Sequence, residues 1–358
     1  MNAIPDPFPA PCGDRCKVSV IIKALNEEKN ICAAVESSLA AVREVGGEVI
    51  LADSHSSDRT VELASRYPIR VVQLLDPTER SCGAGPQLGY QHACGDYLYL
   101  LDGDMQMVPG FLSKALAFLA QHPEAAGVGG RLVELNTDSL EYRERGLRAA
   151  AHLSPGEVDR LDGGGLYRRR AIQEAGYFSD RNLHSYEEFD LAVRLRSLGW
   201  KLWRIPVDVA THCGHDAPPY QLLLRRWRTG YICGPGELLR AAAGQPRLRL
   251  VLRGVRELRL YFAVLAWWCA LLTVPFWALP AVARIFCFVA LAAAPWLLML
   301  WRKRSAARAS YSVVSWCFNA AGMVRGFLRP QRSPRDAIAS RVLHEPPQAS
   351  ASPREHYA

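Results

Sequence analysis

The sequence predicts an α/β fold built on a parallel sheet, followed by a helical hairpin embedded in a membrane. Three observations carry that expectation. Short apolar runs alternate with amphipathic ones through the first third of the chain, aspartates end two of those runs, and two long uncharged stretches bracketed by arginine lie in the last third. Repeated strand–helix units of this length pack as a sheet with helices on both faces. Such sheets collect ligands outside the carboxyl ends of their strands.

The elements follow in order. Residues 1–16 are proline-rich and lack a charged segment followed by an apolar core. They read as a flexible tail rather than an export signal, which places the following domain in the cytoplasm. Lys17–Ala24 (KVSVIIKA) reads as a buried strand, and Glu28–Val42 as a helix with Ile31, Val35, Leu39 and Val42 on one face. Glu48–Ala52 is a second strand ending at Asp53. Ser56, Ser57 and Asp58 are helix-capping types ahead of Thr60–Tyr67. Ile69–Leu75 is a third strand, Gly85–Ala93 a helix, Tyr97–Leu101 a fourth strand, and Pro109 opens a helix to Gln121. From Ala125 to Gly234 the pattern is less regular, with a helix at Glu187–Leu198, a strand at Lys201–Ile205 and a histidine-rich turn at Thr211–Asp216. One domain is therefore assigned to 17–234.

The segment 235–329 reads as membrane-associated. Leu260–Pro280 holds 21 residues without a charge and Ile285–Trp301 holds 17, against about 20 needed per crossing. Spans are expected at 260–280 and 284–301, with Pro280 and Arg284 at the outer turn. Five arginines from Arg247 to Arg259 precede the pair and Arg302-Lys303-Arg304 follow it, so both flanks fall on the cytoplasmic side. The stretch 310–328 is more amphipathic and suits a membrane surface. Residues 330–358 read as a disordered tail.

Charge supports the same division. Of 43 Lys/Arg and 35 Asp/Glu, 16 and 4 lie from Arg247 onward, leaving 27 and 31 before it. The net +8 therefore belongs to the membrane-flanking third. Basic residues beside apolar runs suit an anionic lipid surface, whereas nucleic-acid binding calls for a basic face on a folded domain; nucleic acid is not an expected partner. The ten cysteines form no CxxC pair, the closest being Cys12 and Cys16, and read as reduced thiols rather than a zinc site.

Several groups are candidates for chemistry. Asp102-Gly103-Asp104 follows the apolar LYLL. Two carboxylates one residue apart at a strand end can hold Mg²⁺ or Mn²⁺, whose shell is completed by phosphates and water. Alone the pattern is common in surface loops; its place, with Asp53 ending another strand, raises its weight. Glu187-Glu188-Phe189-Asp190 opens a helix, where acids compensate the helix dipole. Adjacent carboxylates also raise one another's proton affinity, as a general base requires. Both readings stand on local sequence. His212 and His215, with Asp216, have a spacing compatible with metal ligation, although paired loop histidines are more often solvated or hydrogen-bonded. Asp162-Gly163-Gly164-Gly165 is either a plain loop or a place where a ligand approaches the backbone closely, since glycine has no Cβ.

Taken together these pieces resemble the family-2 inverting glycosyltransferases. The resemblance rests on VSVIIKALNEEKNI, VILADSHSSDRT, ERSCGAGPQLGYQHACGDYLYLLDGDM, DGGGLYRRRAIQEAGYF and EEFDLAVRLRSLGW, which occur in the family's order across about Lys17–His215. It implies the GT-A fold, a nucleotide-binding αβα sandwich, and transfer of one sugar from a nucleotide-sugar donor to a lipid-linked or polysaccharide-precursor acceptor. It implies that Asp53 contacts the nucleoside base, with Ala24 and Glu27 nearby, and that Arg80 and Gly164 line the same donor site. Asp102 would meet the ribose or phosphates. Asp104 would bind the Mg²⁺ or Mn²⁺, joined by His212 or His215. Glu188 falls at the catalytic carboxylate, although a Glu-Glu pair in place of the usual Glu-Asp leaves the base open between Glu187 and Glu188. Ser54-His55 and Pro86-Gln87 also depart from common family residues. Gln221 stands too far from Arg226-Trp227 to match the Gln-x-x-Arg-Trp pattern of processive members, which favours single-sugar transfer. The expected location is the inner (cytoplasmic) membrane, with the catalytic domain in the cytoplasm. Two alternatives stand beside this reading: a polyprenyl-phosphate sugar synthase, and a catalytically silent membrane assembly subunit.

Overall fold

Alternation of side chains along the first strand sets the layering of the domain. In β1 (Val18–Ala24), Val20, Ile22 and Ala24 enter one buried cluster while Ile21 enters another. Both faces are thus apolar, as a strand covered on two sides requires. The structure, a computed structural model, describes residues 16–135, 153–212 and 218–346.

The chain continues through α1 (Ile31–Val45), β2 (Gly47–Asp53), α2 (Thr60–Ala64), β3 (Arg70–Leu74), α3 (Ala84–His92), β4 (Tyr97–Asp102), β5 (Met105–Met107) and α4 (Phe111–Gln121). Next come β6 (Ala125–Glu134), β7 (Gly156–Val158), β8 (Gly165–Arg168), α5 (Arg169–Ala175), α6 (Glu187–Ser197) and β9 (Lys201–His212). Then follow α7 (Pro219–Arg228), α8 (Gly234–Ala242), α9 (Leu248–Gly254), α10 (Glu257–Thr273), α11 (Ala281–Lys303), α12 (Ala306–Leu328) and β10 (Ser340–His344). The strands form one sheet in the order β10-β3-β2-β1-β4-β8-β6-β9-β5, with β7 alongside β9. Helices α1 and α4 cover one face, and α3, α5 and α6 the other, giving an αβα sandwich.

The sheet is mixed rather than wholly parallel. Pairs β1–β2, β2–β3, β1–β4 and β6–β9 are parallel. The short β8 runs antiparallel to both β4 and β6, and β5 antiparallel to β9. The simple alternation of strands and helices breaks after β4, where the short reversed β5 follows directly, and beyond α4 the chain inserts further reversed strands that periodicity does not announce. The strand expected at Lys201–Ile205 extends to His212, because its second half pairs with β6 and β5.

The C-terminal third differs more. Glu257–Phe276 and Ala281–Lys303 are long and apolar enough to cross a membrane, and only 17% and 6% of their most apolar windows are buried by protein. Leu272, Phe276, Val282 and Phe286 are exposed. Helix α12, which includes the amphipathic stretch 310–328, packs one face on the domain, burying Ala320, Gly322, Met323 and Gly326. A Cβ on Gly326 would sit 2.1 Å from the Cys233 carbonyl oxygen, and one on Gly236 would sit 1.8 Å from that of Met323. Glycine at these points lets backbones meet.

The expectation of disorder from residue 330 is overturned for 330–346. Strand β10 pairs antiparallel with β3, and Gln91 holds the Ile338 backbone from both sides, at 3.1 and 2.7 Å. Ile338 is buried in the α3 face of the core. These partners lie some 250 residues away in the chain, so local composition gave no sign of them.

Candidate active site

The parallel register brings the candidate groups together. Ala24 on β1 lies opposite Asp53 on β2, and Lys23 opposite Asp102 on β4, all at the carboxyl ends of adjacent strands. The Gly103 N–H donates to the Lys23 carbonyl, and a Cβ on Gly103 would meet Glu27 and Ala24 at 2.9 and 3.1 Å. The loops after β1 and β4 are therefore in contact, with Glu27 between them. Asn26, His55 and Tyr186 hold left-handed backbone at φ 60–67° in the loops after β1 and β2 and at the start of α6. Such conformations cost of order 1–3 kcal/mol each and gather where geometry serves function.

Lys23, like Glu134, is a residue of the site that the sequence does not single out. Its ammonium lies 3.1 Å from Asp102 Oδ1 and 3.0 Å from Glu187 Oε1, so it ties the end of β4 to the first turn of α6. The available signal was a lysine closing an otherwise apolar buried strand. Burial disfavours its charge, but Asp102, Glu187 and Glu188 outweigh that and hold its pKa well above the ordinary lysine value.

The three acids of the α6 N-terminus have three different partners. Glu187 pairs with Lys23. Glu188 Oε2 accepts the Gly163 N–H at 3.2 Å. Asp190 is buried and bonded to Arg194 at 2.7 Å, while Arg194 also donates to the carbonyls of Tyr177 and Phe178. Burial raises the Glu188 pKa well above the carboxylate range, Asp162 adds to the rise, and Lys23 opposes it. Burial likewise raises Asp102, with Lys23 pulling against it. The Gly163–Gly164 turn has φ of +78° and +103°, and a Cβ on Gly164 would lie 2.9 Å from the Tyr99 hydroxyl. Only glycine can bring this backbone between β4 and Glu188.

A second cluster sits across the Asp102-Gly103-Asp104 turn. His212 Nε2 is 3.2 Å from Asp104 Oδ2, and its Nδ1 is 2.6 Å from Glu134 Oε2. The bond to Asp104, against burial and with help from Glu134, raises the His212 pKa to about 9. A carboxylate oxygen and an imidazole nitrogen side by side, the imidazole oriented by a further carboxylate, form a donor set that fits a divalent cation. His215 lies outside the described residues.

Asp53 and Arg80 occupy the β2 side. Asp53 has no exposed surface; Oδ2 accepts from Ser56 N at 3.0 Å and Gln73 Nε2 at 2.8 Å, and Oδ1 from Ser56 Oγ at 2.5 Å. A carboxylate has about four acceptor positions, and three of those on Asp53 are filled by its own loop and by Gln73. Arg80 does not meet Asp53. Its guanidinium grips the carbonyls of Ser54, at 2.8 Å, and His55, fixing the same loop. At the opposite ends of the strands, Cys16, Glu48 and Cys94 place ligand atoms within 4.8 Å of one another, although no local spacing joins them. Glu48 Oε1 is already engaged there by Ser19 Oγ and Cys94 N.

Comparison with known proteins identifies the family and the fold. Residues 19–188 match the model of glycosyl transferase family 2. The putative glycosyltransferase EpsE of Bacillus subtilis (strain 168) is 30% identical over 198 residues, covering 52% of this chain and 68% of that protein. The undecaprenyl-phosphate 4-deoxy-4-formamido-L-arabinose transferase of Pectobacterium carotovorum is 34% identical over 116 residues, or 31% of this chain. The match spans only 36% of that relative's length. Among solved structures, the mannosyltransferase PcManGT from Pyrobaculum calidifontis, in complex with GDP-Man and Mn²⁺, superposes with a TM-score of 0.55 at 18% identity, over 90% of each chain. That likeness is one of fold.

Proposed function

The chain belongs to glycosyl transferase family 2 and is a glycosyltransferase, and we propose that it moves one sugar, with inversion, from a nucleotide-sugar donor to a lipid-linked or polysaccharide-precursor acceptor at the cytoplasmic face of a membrane. The observation that carries this reading is the Lys23 bridge, which joins the donor-side Asp102 to the helix bearing Glu187 and Glu188. Donor and base elements thereby share one crevice.

The same bridge favours Glu188 as the base. Glu187 is committed to Lys23, whereas Glu188 faces the glycine turn with a raised proton affinity. Glu188 takes the proton of the acceptor hydroxyl as it attacks the anomeric carbon from the face opposite the leaving group, and one displacement inverts that carbon. Asp104 and His212, oriented by Glu134, would hold a Mg²⁺ or Mn²⁺ ion, which when bound supplies neutralisation of the charge developing on the nucleoside diphosphate. Asp102 and Lys23 position the donor between the two clusters. Asp53, with Ala24, Glu27 and Arg80 around it, shapes the base pocket by holding the Ser54–Ser57 loop. His215 is kept as a further candidate ligand. Helices α10 and α11 anchor the domain, with Arg-rich flanks on the cytoplasmic side.

One further reading is favoured by a specific likeness. The similarity to an undecaprenyl-phosphate sugar transferase points to a polyprenyl phosphate as an alternative acceptor. Purified full-length protein, incubated in vesicles with radiolabelled nucleotide sugars and membrane lipid extract, decides between them. A glycosidic product resistant to mild acid supports the first reading, and an acid-labile phosphodiester the second. Transfer that survives both Glu188→Gln and Asp104→Asn would show the chemistry to be misplaced.

A further inference from the structure

The C-terminal strand, remote in sequence from every candidate site residue, lies in register with the donor pocket. Ala24 is opposite Asp53 on the neighbouring strand, Asp53 opposite Gln73, and Gln73 opposite Arg341 on β10. Residues directly opposite across adjacent strands present their side chains on one face of the sheet. The four positions thus form a row across β1, β2, β3 and β10 at the crevice end of the sheet. The last three are joined by hydrogen bonds. Arg341 donates to Gln73 Oε1 from Nε at 3.1 Å and from a terminal nitrogen at 2.5 Å, and Gln73 Nε2 donates to Asp53 Oδ2 at 2.8 Å.

We propose that β10 is a working part of the donor pocket and that Arg341 is a positioning residue for nucleotide binding, acting through Gln73 on Asp53. The inference rests on the reading that Asp53 shapes the base site. An amide has an acceptor end and a donor end, and in the wrong orientation Gln73 would set its oxygen against the Asp53 carboxylate. The two guanidinium donors of Arg341 claim that oxygen and hold the NH₂ group toward Asp53. Gln73 is 5% exposed, so no water readily replaces a lost partner. With Gln73 fixed, Asp53 keeps one oxygen on Gln73 and Ser56 N and turns the other to Ser56 Oγ, which sets the loop around the base.

Arg341 is not what holds the strand in place. Main-chain pairing with β3, the Leu75 N–H to the Ala339 carbonyl at 3.0 Å, the two Gln91–Ile338 bonds and the buried Ile338 side chain do that. Arg341 itself is exposed. Its removal therefore separates the relay from the fold. The arrangement also ties the chain that emerges from the membrane helices to the pocket that receives the donor.

The test is a double-mutant cycle on the full-length protein in detergent, reading the dissociation constant of the tightest binder among UDP, GDP, CDP and ADP with Mn²⁺ present. Arg341→Ala and Gln73→Leu should each weaken that nucleotide by about fivefold or more, and the double variant by no more than the single ones, since both break one relay. Arg341→Lys, which lacks the paired donors, should restore only part of the affinity. Additive losses, or an Arg341→Ala variant that melts earlier but binds the nucleotide unchanged, would overturn the inference and reduce Arg341 to a strand anchor. Asp53→Asn separates the two levels. If it weakens binding while Arg341→Ala does not, only the relay fails; if it leaves binding unchanged, the base-site reading fails and takes the relay with it.

Discussion

Two carboxylate clusters face each other across Gly103, and each is organised by one basic side chain. Lys23 holds Asp102 and Glu187, with Glu188 beside them; His212 holds Asp104 and Glu134. Lysine brings a cation that persists across the physiological range, so its cluster keeps one geometry. Histidine brings a proton that can leave. With a pKa of about 9, His212 carries a charge between its two carboxylates, and a divalent ion bound there would displace the proton. The first cluster keeps its charge across the physiological range, whereas the second loses its proton as pH rises through about 9.

Four experiments break or sharpen that contrast. The largest effect is expected at Glu188. Glu188→Gln should lower kcat by about 10³-fold, within the range for loss of a general base, and leave nucleotide affinity within a few-fold. Glu187→Gln should lose less, because Glu187 serves Lys23 rather than the acceptor. The wild-type rate should rise with pH through an inflection above the ordinary carboxylate range, because the base must be deprotonated and burial raises its pKa. A pH–kcat profile with its acid limb near pH 4 would contradict this.

Next comes the ion itself. Glu134→Gln should weaken Mn²⁺ binding by about 10- to 100-fold, the usual effect of removing the group that orients a ligating histidine; titration calorimetry reads it directly. Third, Mn²⁺ affinity should increase by up to about tenfold per pH unit as pH rises toward 9, since one imidazole proton must leave. A flat profile would place the ion elsewhere. The smallest effect concerns the metal-free protein. The His212 pKa is raised from 6.5 to about 9 on folding, so its contribution to stability is complete below pH 6.5 and is lost as pH rises through about 9. The melting temperature of wild type should fall over that window by more than that of His212→Gln.

Legibility in the sequence divided along the chain. In the first hundred residues each strand and helix lay within a few residues of its expected bounds, because strand–helix alternation is a local pattern. Carboxylates at Asp53, Asp102 and Asp104 could be placed at strand ends for the same reason. Glu187 and Glu188 are visible as a pair, but which of them pairs with Lys23 is not, because that lysine lies 164 residues away from Glu187. His212 was visible and its Glu134 partner was not, since antiparallel β5 and parallel β6 bring that side of the site together only after folding. The 330–346 segment reads as disordered because its composition is polar, whereas the partners that order it lie at a sheet edge built from residues 70–74.

By itself, then, the sequence determined the layered α/β domain, the two apolar helices and the residue types available for chemistry, all of which follow from periodicity and composition over short windows. Tertiary structure alone decided which acid is neutralised by Lys23, which accepts from the glycine turn, how the histidine is held, and where the C-terminal strand docks. Those outcomes depend on pairings between residues far apart in the chain. The energy of a charge or hydrogen bond is set by what lies within a few ångströms in space, and a sequence records only what lies nearby in order.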